Sequence, residues 1–176
     1  MSPKRAGYWI AGGSAFAVSL YLSVVAVFLH GKEVIPLLVC LEDTRAWVAT
    51  PCRLSLRYFH PTQAEIAALN TEAGAQYIAL YNMEDGPALL RNFQAAGLNI
   101  NAIDQRTPTK WTALHMAAME PNAKAVRLLL AHGAKPDITD SRGKTPAEAA
   151  EEAQLQRPDP RFAEVIALLE AAAQRR

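Results

Sequence analysis

A chain of 176 residues, 51% hydrophobic and 20% charged, has the composition of one folded domain with an apolar appendage. Its formal charge is +1. Residues 1–29 hold Lys4 and Arg5 and no acid, so the remainder carries 16 of the 18 basic residues against all 17 acidic ones, a net charge of −1. A near-neutral body lacks the basic face that nucleic-acid binding needs, and that class is excluded.

Taken in order, residues 1–5 form a short basic start, expected in the cytoplasm. Residues 6–29 are 24 residues without a charge. As a helix they extend roughly 36 Å, enough to cross a hydrocarbon core of about 30 Å with some tilt. Tyr8 and Trp9 stand where an interfacial aromatic belt belongs, and Glu33, Glu42 and Asp43 follow the stretch. The positive-inside rule then places everything after His30 on the outer side. A cleaved signal peptide competes with this signal-anchor reading, but the apolar run exceeds the usual h-region and no small-residue cleavage site follows it. Gly7, Ala11, Ala15, Ser19 and Ser23 recur at every fourth position. Such a stripe either admits a second helix or reflects the abundance of small residues in membrane helices.

Residues 30–60 read as a linker region. Val34 to Leu41 is a short apolar run broken by Pro36, and Trp47-Val48 and Leu54-Ser55-Leu56 read as short extended pieces or buried anchors. Both cysteines, Cys40 and Cys52, lie here. In an oxidising compartment they form a disulfide, which closes about a dozen residues and contributes roughly 3 kcal/mol less any strain. In a reducing one they are two buried thiols. With no Cys-x-x-Cys and no His pair nearby, they do not make a zinc site.

Residues 61–176 carry helical signals throughout. Thr62 and Glu65 have capping-box spacing, and Ile66 and Leu69 follow on one stripe. A second helix is expected over Ala75 to Asn82. A third starts at Gly86-Pro87, with Leu89, Leu90 and Phe93 apolar at helical spacing. It ends at Gly97, and Gly133 ends a later segment in the same way. Each glycine suits the left-handed residue that closes a helix. Gly97 and Gly133 are 36 apart, as are Asp104 and Asp140. Thr112-Ala113-Leu114-His115-Met116-Ala117-Ala118 recurs 33 residues later as Thr145-Pro146-Ala147-Glu148-Ala149-Ala150. Val126 to Ala134 follows the first copy, with Val165 to Ala171 after the second. A fixed period in this range marks a repeat architecture.

These residues resemble the ankyrin repeat, with its T-P-L-H-x-A-A opening, V-x-x-L-L middle and G-A ending. The resemblance implies an all-α fold. It is a short ankyrin-repeat solenoid of about three repeats plus an N-terminal helical cap, behind the N-terminal transmembrane helix. The first repeat, about Gln76 to Asn101, is irregular. The second, Asp104 to Asp137, is regular, and the third, from Asp140 on, is modified. Seven residues (105–111) separate Asp104 from Thr112, against four (141–144) between Asp140 and Thr145, so the second repeat's loop tip is enlarged. The third adds six residues within Glu151 to Pro160, after which Asp159 is expected as N-cap with Pro160 at the first helical position. It carries Ala147 and Glu148 where Leu and His are usual, as terminal repeats often differ. Leu114, Ala117, Ala118, Val126, Leu129 and Leu130 are the expected buried set.

The resemblance further implies a binding face at the loop tips and first helices, with Gln105, Arg106, Lys110, Trp111, Met116, Met119, Glu120, Arg142 and Lys144 as its residues. Trp and Arg are common interface hot spots and Met adapts to its partner. Trp111 folding back onto the body is the competing reading. His115 matches the family's structural histidine, which bonds backbone near Thr112. Glu148, Glu151 and Glu152 read as a solvated acidic turn near Arg157. No metalloprotease, nucleophile-elbow or phosphate-loop motif is present, so catalysis is not expected. No cofactor, metal, small-molecule substrate or nucleic acid is implied, and the expected partner is another protein. Bacterial ankyrin proteins of this layout include immunity proteins that neutralise a secreted toxin or effector, and others that support an envelope enzyme. The expected location is the bacterial inner membrane, single-pass, with the C-terminal domain in the periplasm.

Overall fold

The computed structural model describes residues 18–21, 23, 25, 33–43, 45–81 and 84–175. The chain forms two compact units, Met1–His60 and Pro61–Arg176. Of the expected span 6–29, residues 18–21, 23 and 25 are described and helical. The rest, including Gly7, Ala11 and Ala15, lies outside the described residues. Among the described residues no helix is long and apolar enough to cross a membrane.

The first unit packs α1 (Val34–Cys40) against α2 (Ala46–Tyr58). Trp47-Val48 and Leu54-Ser55-Leu56, expected to be extended, are helical. Helical spacing is visible in their burial, with Ala49, Cys52 and Leu56 inside, while Trp47 is 65% exposed and anchors nothing in the core. Pro51 hid this helix. Proline lacks an N–H, so the carbonyl four residues earlier loses its helical donor. Here that carbonyl belongs to Trp47, and Tyr21 Oη donates to it at 3.1 Å. Pro36 costs little because it sits in the first turn of α1, where the N–H has no intrahelical acceptor. The structure joins Cys40 to Cys52 across the two helices, with Cα atoms 6.2 Å apart.

The second unit contains α3 (Gln63–Thr71), α4 (Ala75–Tyr81), α5 (Gly86–Ala95), α6 (Ala113–Met119), α7 (Ala123–Ala131), α8 (Pro146–Gln156) and α9 (Arg161–Ala173). No strand occurs among the described residues, only an isolated bridge between Ile103 and Thr112. The helices pair as α4–α5, α6–α7 and α8–α9. First helices α4, α6 and α8 contact one another in a row, with the second helices behind. Ile78, Ala79, Phe93, Leu114, Val126, Leu129, Phe162 and Val165 are fully or almost fully buried between the layers. Ala117, Ala118, Ala149 and Ala150 are buried where α6 meets α8, and only small side chains allow that approach. Leu130, expected inside, is half-buried, since its position turns toward the edge of α7.

Local chemistry sets the helix ends. Thr62, Thr112 and Thr145 each cap a helix, with Glu65, His115 and Glu148 bonding back to complete the box. After α5, Gly97 N–H bonds Gln94 C=O and Leu98 N–H bonds Phe93 C=O. After α7, Gly133 and Ala134 repeat the pattern onto Leu130 and Leu129. That motif requires positive φ, and the glycines stand at +109° and +90°. The third repeat restarts one residue later than expected. Pro160 is the N-cap, and Asp159 reaches past it to accept from Arg161 N–H at 2.9 Å.

Gly133→Ala isolates the backbone requirement, because a Cβ there would meet nothing within 4 Å. The variant is expected to lose about 1 kcal/mol of stability, read as a lower urea midpoint with unchanged slope.

Candidate functional site

Each loop tip is closed by one backbone bond, Asp104 N–H to Trp111 C=O and Asp140 N–H to Lys144 C=O, both 2.8 Å. The three extra residues of the first tip bulge between these ends. Lys110 takes φ +56°, the left-handed position that Gly143 fills at +76° in the shorter tip. Within each tip the aspartate organises the turn. Asp104 accepts from the backbone and guanidinium of Arg106. Asp140 accepts from Arg142 N–H, Lys144 N–H and the Arg142 side chain. Burial alone would push the Asp140 carboxyl up. The donors of Lys144, Arg142 and Trp111 outweigh it and hold it at about 2.

Each tip is stitched by backbone to the element before it, the end of α3 for the first and the first tip for the second. Gln105 N–H donates to Thr71 C=O at 2.9 Å, and Ser141 N–H donates to Thr109 C=O at 3.0 Å. His115 joins the second repeat to the third. Its Nε2 lies 3.0 Å from Lys144 C=O and its Nδ1 3.2 Å from Thr112 N. A carbonyl needs a donor and an N–H needs an acceptor, so the ring is neutral with its proton on Nε2. Burial lowers its pKa below the usual histidine value, in agreement. Glu148 takes the equivalent place in the third repeat, bonding Thr145 N–H at 2.8 Å.

The cations expected to meet a partner are mostly occupied internally. Arg106 bridges Glu72 and Asp104 and donates to Tyr77 Oη. Arg142 bridges Asp140 and Glu152, and Lys144 Nζ sits 2.9 Å from the same Glu152. Glu152 therefore belongs to a clamp between tip and α8, and Glu148 to a cap. Of the acidic turn expected near Arg157, Glu148 and Glu151 are exposed on α8, and only Glu152 is drawn into the clamp. Lys110 Nζ donates to Gln105 C=O, leaving both exposed at the tip.

Four of the nine expected residues come together. Trp111, Met116, Met119 and Glu120 line a groove of about 850 Å³ along the row of first helices. Leu80 and Gln76 of α4 form one side, and Ala153, Gln156 and Arg157 the other, with Thr107 and Asn122 completing the lining. Trp111 does both things weighed for it. It is half-buried, with Nε1 3.3 Å from Asp140 Oδ2, and it faces the groove.

Sequence reasoning missed the α8 wall, although its signal was the six-residue insertion. The insertion lengthens the first helix: α8 has 11 residues where α6 has 7. The added turn carries Arg157 over the end of α6, where its guanidinium donates to Met119 C=O at 2.6 Å. A cation at a helix C-terminus satisfies an orphan carbonyl and opposes the helix dipole. Leu80 gave no signal, because its repeat lacks the opening motif.

A model of the Ankyrin repeats family matches residues 77–159, in three copies. No curated protein matches the chain.

Two pH windows follow from the bridging groups. His115 has a lowered folded pKa, so its contribution is complete above about pH 6.5 and declines as pH falls below that value. Asp140 is lowered from 3.8 to about 2, so its contribution is lost between about pH 4 and pH 2. His115→Ala is expected to lose about 3 kcal/mol, from unpaired Thr112 N–H and Lys144 C=O, and to reduce the slope of the first window, in which His132, also lowered by burial, still titrates. Asp140→Asn is expected to reduce the slope of the second, in which Asp43, Asp104 and Asp159 are lowered as well. Urea unfolding across pH 2–8 measures both.

Proposed function

We propose that this chain, whose residues 77–159 are ankyrin repeats, binds another protein in the groove over α6. Ankyrin repeats are generally interaction modules rather than catalysts, which supports a binding role for the repeat unit. One observation carries the proposal: Leu80 of the first repeat, Trp111, Met116 and Met119 of the second and Ala153 of the third line a single concavity of about 850 Å³, together with the charged Glu120 and Arg157. Apolar and aromatic side chains interspersed with polar ones are the make-up of a protein interface.

The finer reading is a single-pass protein of a bacterial inner membrane, anchored through residues 6–29, with the repeat unit in the periplasm. There it acts as an immunity protein that neutralises a secreted toxin or effector. The uncharged stretch after Lys4 and Arg5 supports the anchor and its orientation. The Cys40–Cys52 pairing supports an oxidising compartment. A second reading, an envelope scaffold or assembly factor, is favoured by the small-residue stripe from Gly7 to Ser23.

Co-purification from membranes tests the binding claim. Wild type is expected to retain a stoichiometric partner, Met116→Glu to reduce it at least tenfold at unchanged melting temperature, and Lys110→Ala to leave it intact. Equal capture by wild type and Met116→Glu sinks the groove assignment. A periplasm-active reporter fused after Arg176 reads the topology. Replacing residues 6–29 by an unrelated anchor spares the immunity function and abolishes the scaffold one. Deletion strains that stay fully resistant to their siblings rule out immunity.

A further inference from the structure

Helix α2 has a second face that the core, the groove and the disulfide leave unused. Ala49, Cys52 and Leu56 point inward. Trp47, Leu54 and Tyr58 stand at spacings of seven and four, which places them along one line of a helix. They are 65%, 38% and 69% exposed. Arg45 lies 5.3 Å from the Trp47 ring centre, and Arg57 5.7 Å from that of Tyr58. Asp43 pairs with Arg45, while Arg53 and Arg57 lie in a stretch, residues 44 to 64, that holds no acid. A face that is both aromatic and cationic suits one surface better than others. Trp and Tyr prefer the depth of lipid headgroups, guanidinium forks match phosphate oxygens, and a basic amphipathic helix has the pattern of a membrane-surface element.

Position agrees with chemistry. Tyr21 Oη, in the described part of the apolar stretch, donates to the Trp47 carbonyl freed by Pro51. The start of α2 is therefore tied to the stretch read as the anchor. We propose that the outward face of α2, formed by Trp47, Leu54 and Tyr58 with Arg53 and Arg57 beside them, lies on the surface of an anionic lipid bilayer. It takes its placement from the anchor reading of residues 6–29, and its chemistry is tested separately.

The test uses the full chain with Trp9→Phe and Trp111→Phe, so that Trp47 is the sole tryptophan. It is reconstituted into phosphatidylcholine vesicles with or without phosphatidylglycerol. Trp47 emission is expected to shift to the blue in the anionic vesicles, and headgroup-level nitroxide lipids to quench it at least twofold more there than in neutral ones. Arg53→Gln with Arg57→Gln is expected to remove that difference. Hydrogen exchange of residues 46–58 in the unsubstituted chain, slower in anionic than in neutral vesicles, gives the same reading without variants. Water-like emission with equal iodide quenching in both vesicles overturns the proposal. So does a blue shift that follows protein concentration in detergent, which assigns the face to a second copy. Retention after alkaline carbonate washing reads the anchor alone, so its failure is distinguishable from failure of the α2 face.

Discussion

The repeat unit depends on one buried side chain with two jobs. His115 accepts from Thr112 N–H at the start of its own helix and donates to the Lys144 carbonyl of the next tip. Both groups are backbone, and both would be costly to leave unpaired inside the stack. Only an uncharged ring with one donor and one acceptor nitrogen satisfies them together, and burial keeps it uncharged. The helix cap and the repeat-to-repeat joint are thus one feature. In the third repeat Glu148 takes the histidine's place in the cap.

Around that joint the tips form a chain of local turns locked to their neighbours. The aspartate fixes each turn, the arginine two residues on reaches Glu72 past α3 or Glu152 on α8, and the tip backbones bond to the end of α3 and to each other. Charged residues placed in this way hold the tips still. The groove is lined by the apolar Leu80, Trp111, Met116, Met119 and Ala153 together with polar side chains, and the paired tip arginines are not among them. Its far wall comes from the longer α8, whose Arg157 rests on the end of α6. The departure from strict repetition thereby creates the asymmetry that lets a short array form a distinct concavity.

The first unit follows the same logic of satisfied backbone. Pro51 removes one helical donor, and Tyr21 replaces it from 26 residues away. The result is a helix where pattern alone suggests strands or a linker. Its inner face is fixed by Cys52, Leu56 and the bond to Cys40.

By itself the sequence determined the repeated unit: the threonine caps, the glycines after α5 and α7, the alanine pairs, and the buried Leu114, Val126 and Leu129. These are legible because each depends on residues within a turn or two, or on an identical neighbour one period away. The capping box at Thr62 and the enlarged tip at Lys110 belong to the same class. Tertiary structure alone decided which exposed residues face a groove. Arg106, Arg142 and Lys144 look like a binding surface in sequence, yet their carboxylate partners include Glu72, just past the end of α3, and Glu152 on α8. Leu80 and Arg157 look incidental, yet they stand across from Met116 in space. An ion pair or a groove wall is a relation between segments brought together by stacking, and no local pattern records which surface charges stacking will consume.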